Sequence, residues 1–97
     1  MDDVDWERET VTPVAHLTEM PRYFFHLFND EITVDEEGSE HATLEAARSY
    51  AIQNARALAA HSVLNGHLVL DHRIEISDEQ GARQSTVTFR EAFMIVG

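Results

Sequence analysis

The chain has 97 residues, with seven Arg, no Lys, 18 Asp plus Glu and no Cys, for a formal net charge of −11. That length suits one domain and excludes a multidomain enzyme, and the lack of Cys excludes disulfides and Cys-based zinc sites. So acidic a chain repels a phosphate backbone, which argues against a nucleic-acid partner.

The charge is uneven along the chain. Residues 1–19 hold six acids (Asp2, Asp3, Asp5, Glu7, Glu9, Glu19) against Arg8 alone. Their apolar residues follow neither period 2 nor period 3.6, and Pro13 interrupts any helix. A segment so charged and so poor in large apolar groups is expected to be a disordered acidic extension. Met20 is then a candidate second start, and residues 20–97 form the single domain. No basic leader precedes an apolar stretch, and no apolar run approaches the ~18 residues of a membrane span. A soluble, cytoplasmic protein is expected.

The domain opens with Arg22-Tyr23-Phe24-Phe25-His26-Leu27-Phe28, dense in residues that suit a strand. Alternation puts Tyr23, Phe25 and Leu27 on one face and Phe24, His26 and Phe28 on the other. Both faces are largely apolar, as in a strand that is central or covered twice. Asn29-Asp30-Glu31 reads as a hairpin turn into a half-buried strand, Ile32 to Asp35. Glu36-Glu37-Gly38 ends it, with Gly38 free to take positive φ.

One strong helix is expected from about Leu44 to Asn65. Thr43 is its N-cap and Gly66 its left-handed stop. Leu44, Ala47, Ala51, Ala55, Leu58 and Ser62 recur at spacings of three and four, an apolar stripe of small side chains that admits a sheet closely. Beyond the helix, Leu68, Leu70, His72, Ile74 and Ile76 share one parity, as on the inner face of a strand. Asp78 to Gly81 turns the chain, and Ser85 to Phe89 returns it with Val87 and Phe89 inward. The segment Glu91 to Gly97 is open to a strand, a short helix or a surface covered by another chain. The order ββαββ specifies a two-layer α+β domain, a small antiparallel sheet with one helix on one face.

Met20-Pro21-Arg22-Tyr23-Phe24-Phe25-His26, Asp35-Glu36-Glu37-Gly38, Ala46-Ala47-Arg48, Ile76-Ser77-Asp78-Glu79 and Phe89-Arg90-Glu91-Ala92 together resemble a family of short, mostly alphaproteobacterial proteins. That family is an uncharacterised domain of unknown function. The resemblance covers residues 20–92 and implies no activity. The acidic extension departs from it, since the family tends to begin at the MPRYFFH-like segment.

Candidate site residues are few. His26 has a side chain suited to proton transfer near neutrality, but no nucleophile or second catalytic group stands at a signature spacing from it. The bland alternative is a sheet histidine bonded to a neighbouring strand. The six His residues show no ligand pattern, and His67 and His72, five apart, fall on opposite faces of a strand. No metal, cofactor or catalytic set is expected. Asp35, Glu36 and Glu37 read as a solvated turn. Arg48 is expected to reach Asp35 or Glu37 and fasten the hairpin to the helix.

A domain of ~75 residues buries only ~60–65% of its unfolded surface. The sheet face away from the helix would carry aromatics, and such a patch marks association. The reading is a small non-enzymatic protein-binding or regulatory module, a homodimer or bound to a small protein partner. Tyr23, Phe25, His26, Phe28 and Arg48 are the candidate interface or ligand residues. Two alternatives stand: an antitoxin-like regulatory half without its own DNA-binding segment, and a small-ligand binder with a pocket lined by Tyr23 and His26.

Overall fold

The computed structural model describes residues 20–96. The expectations for residues 1–19, among them the disordered extension, lie outside the described residues. The elements run β1 (Arg22–Phe28), β2 (Ile32–Thr33), β3 (Ser39–Glu40), α1 (Leu44–Leu64), β4 (Arg73–Ser77), β5 (Arg83–Thr88) and a 3₁₀ turn (Arg90–Ala92). The fold is α+β, with one helix and an open antiparallel sheet of five strands.

β1 and β4 are the central strands, paired antiparallel from Phe24↔Ser77 to Phe28↔Arg73. β5 lies beyond β4. On the outer edge of β1, β2 pairs with Leu27 and Phe28 and β3 with Arg22 and Tyr23. The half-buried strand expected from Ile32 to Asp35 is cut to two exposed residues. The chain leaves the sheet at Val34 and returns to it only at Ser39.

The N-cap is as expected: Thr43 Oγ1 accepts from the Ala46 N–H at 3.0 Å. Asn65 caps the helix and Gly66 follows at φ +89°. Its buried stripe is Ala47, Ala51, Ala55 and Ala59, with Leu58 left on the surface. The expected spacing followed a straight helix. The observed run of fours drifts round the axis and tracks the twist of the sheet beneath. Four alanines let the helix axis lie close to Ile74, Ile76 and Val87, and Phe89 closes the end of this core.

Two further expectations fail. β4 begins at Arg73, not Leu68, because the chain turns just before it, with His72 N–H donating to Val69 O at 3.3 Å. Leu68 and Leu70 therefore never join the sheet. The face of the sheet away from α1 is also not a bare aromatic patch. Phe24 and Phe28 are half-buried. The Arg73 guanidinium lies 4.3 Å from the centre of the Phe28 ring, and the loop at Gly38 rests on Phe24. Gly38 has φ +68°, and a Cβ there would stand 2.7 Å from Tyr23 O and 2.9 Å from the Phe24 ring, so only glycine fits.

Candidate functional site

The residues singled out in the sequence do not converge. Tyr23 and Phe25 face α1, whereas His26 and Phe28 lie on the opposite face of β1, so no pocket can include both Tyr23 and His26. Phe25 is enclosed by His41 at 5.5 Å and Tyr50 at 5.0 Å between ring centres. That cluster packs the start of the helix onto β1.

His26 and Asp35 form a clasp across the interrupted edge. Asp35 N–H donates to His26 Nδ1 at 3.1 Å. The Asp35 carboxylate accepts from the N–H groups of Phe25, Glu37 and Gly38 at 3.1, 3.2 and 3.0 Å. Asp35 is thus no idle solvated acid: its side chain supplies the hydrogen bond that a longer β2 would have given to β1. Burial alone would raise its pKa. The N–H groups of Gly38, Phe25 and Glu37, with the nearby His26, outweigh burial and hold it below the ordinary aspartate value.

Arg48 takes partners other than the expected Asp35 or Glu37. It donates to Ser85 Oγ, to Thr86 O at 3.2 Å and to Glu91 Oε1 at 3.1 Å. Glu91 in turn accepts from the Thr88 N–H at 3.1 Å. Thr86 and Thr88 are outward residues of β5, so this ion pair caps the free edge of the sheet. The Thr88 N–H, offset in part by burial and reinforced by Arg48, holds the Glu91 pKa below the ordinary glutamate value. Two turns along the helix, Arg56 donates to Ala92 O at 2.6 Å. Both arginines pin the end of the chain to α1. Arg56 lies in none of the motifs, although two Arg eight residues apart share a helix face, and Glu91, within the Phe89-Arg90-Glu91-Ala92 motif, shows no partner in the sequence.

A wholly apolar concave surface lies elsewhere among the described residues. The last turns of α1 supply Ala59, Ala60, Val63 and Leu64, the loop supplies Leu68 and Leu70, and the end of the chain supplies Phe93 and Ile95. These enclose a groove of about 540 Å³. The loop residues reach it because Leu70 O accepts from Arg90 N–H at 3.0 Å, which ties the loop to the 3₁₀ turn. Only apolar side chains line the groove, so it offers no acid, base or nucleophile and can recognise only an apolar surface. Around it Leu64 is 85% exposed, Met94 88% and Val96 82%. Leu68 and Leu70, read from alternation as strand residues, are the sequence signal for this groove, since outside the sheet they have no core to enter.

Among the described residues, no group of three or more His, Asp or Glu is placed to hold a metal ion, and no helix is long and apolar enough to cross a membrane. Residues 22–90 match the model of the domain of unknown function DUF6894. The chain belongs to that family. The match takes in β1, the Asp35 clasp, α1 and Arg48, and ends before Glu91. No curated protein and no solved structure matches the chain.

Proposed function

We propose that this protein is a non-enzymatic protein-binding module that self-associates, a second copy covering the groove at the end of α1. The reading rests on one observation: an uncharged apolar groove continuous with exposed Val63, Leu64, Leu68, Val69, Met94, Ile95 and Val96. Their exposed area is on the order of the ~800 Å² that one partner contributes to a standard interface. A second copy suits it because the groove lining carries no charge, so two copies can meet there on apolar surface alone. In this reading the module acts in the bacterial cytoplasm, which the resemblance to short, mostly alphaproteobacterial proteins supports.

The test is sedimentation across a concentration series, with Leu64→Glu as the variant. Leu64 is exposed, so the fold tolerates the change. Wild type is expected as a dimer, and Leu64→Glu as a monomer with unchanged circular dichroism. A wild-type monomer at millimolar concentration would overturn the reading. Saturable uptake of a small apolar probe by that monomer would assign the groove to a ligand instead.

A further inference from the structure

We propose that Asn65-Gly66 is a self-modification site: when the cap of α1 opens, the Gly66 nitrogen displaces ammonia from the Asn65 side chain, and the carboxylate that follows leaves the helix end uncapped. The proposal stands apart from self-association and concerns the chain's own covalent chemistry.

Of the three Asn in the chain, Asn65 alone precedes Gly. The pairing matters because a side chain on the next residue shields its backbone nitrogen from the carboxamide. Gly66 has no side chain, and the position its Cβ would take meets no atom within 4 Å. Both residues are exposed, so water reaches them. In the closed cap the two reacting groups are engaged elsewhere. Gly66 N–H donates to Val63 O at 2.9 Å, and Asn65 Nδ2 donates to His61 O at 3.0 Å. Asn65 N–H and His67 N–H both donate to Ser62 O, at 2.9 and 3.1 Å. These bonds lie at the end of a helix, where opening costs a small part of the global stability.

The reaction balances with water alone. Gly66 N gives up its proton and bonds to Asn65 Cγ. The Cγ–Nδ2 bond breaks, and Nδ2 leaves with a proton as ammonia. Water then opens the cyclic imide at either carbonyl, giving aspartate or isoaspartate. Both products lack Nδ2, the atom that bonds His61 O. Both bring a carboxylate to the end of α1, where the helix dipole opposes negative charge. The cap cannot close again on the same bonds, so the change runs one way. Val63 and Leu64 stand in the turn that this cap holds, and both line the groove. The helical wall of the groove therefore loosens with the cap.

The test follows the full chain by intact mass and peptide mapping in warm neutral buffer, native and in guanidinium chloride. Wild type is expected to convert at Asn65 and not at Asn29 or Asn54, and roughly tenfold more slowly when folded, as a local opening dictates. In denaturant, where the fold plays no part, Gly66→Pro should not convert, since it has no N–H to lose. Asn65→Asp carries the product's charge without the reaction. It should speed amide exchange at Gly66 and His67 several-fold and leave Ile74 and Ile76 unchanged. Equal conversion rates in the folded and denatured chain would overturn the gating by the cap. A folded chain that stays intact while the denatured chain converts completely would overturn the native site. Conversion of Gly66→Pro would replace the imide with direct hydrolysis, and unchanged exchange in Asn65→Asp would overturn the uncapping.

Discussion

β5 and the segment Phe93 to Val96 are separated only by Phe89 and the 3₁₀ turn, yet the chain treats them in opposite ways. The outward backbone groups of β5 meet charged side chains: Thr86 O receives Arg48, and the Thr88 N–H reaches Glu91. Among the described residues the later segment meets none, and it turns Met94 and Val96 outward. A capped edge cannot take another strand without first losing charge-assisted hydrogen bonds. An uncapped one loses nothing. The same two arginine-bearing turns of α1 build both: Arg48 closes one edge, and Arg56 holds the other in position.

Substitutions on either side of this divide should separate stability from association. Arg48→Glu is the largest. It removes three hydrogen bonds and sets two acids together, and should cost about 3 kcal/mol in urea unfolding. It should also convert a guarded edge into an open one, with species larger than a dimer in light scattering. An unchanged urea midpoint would show that the cap carries no weight. Gly38→Ala comes next, at about 1–3 kcal/mol, since it forces a Cβ at positive φ against Tyr23 O.

Asp35→Asn should cost about 1–2 kcal/mol at neutral pH by weakening the clasp on the other edge. This cost depends on acidity in a defined direction. Asp35 and Glu91 both have folded pKa values below their ordinary 3.8 and 4.5. Their contribution is therefore complete above those values and is lost as pH falls through the lowered folded ones. The gap between wild type and Asp35→Asn should close in that acid range, as followed by urea titration at each pH. Met94→Ala is the smallest. Domain stability should stay within about 0.5 kcal/mol of wild type, measured at concentrations low enough to populate monomer, while the dimer weakens.

Much of the fold was legible because it rests on periodicity. The aromatic run of β1, the Thr43 cap, the stop at Gly66 and the turn at Asp78 each follow from local chemistry. The site was less legible. Alternation from Leu68 to Ile76 cannot show that the chain turns at Val69 to His72, because a turn leaves side-chain parity in the sequence untouched. Asp35 reads as a surface acid until a strand edge with unmet N–H groups is set beside it. Arg48 has acids at several distances in the sequence, and only the strand order places Glu91, rather than Glu37, within its reach.

The strand order has a kinetic consequence. Each flanking hairpin closes over a few residues, but the central seam joins Phe24 to Ser77 and Phe28 to Arg73 across the whole of α1. The chain must therefore close a loop of some fifty residues before half of its sheet exists, which slows folding relative to a helical bundle of the same size. Until that seam forms, the aromatic strand β1 has only β2 and β3 beside it. The interval before closure is when this chain is most open to misassembly, and conditions or substitutions that lengthen it should lower the yield of refolding before they change the stability of what has folded.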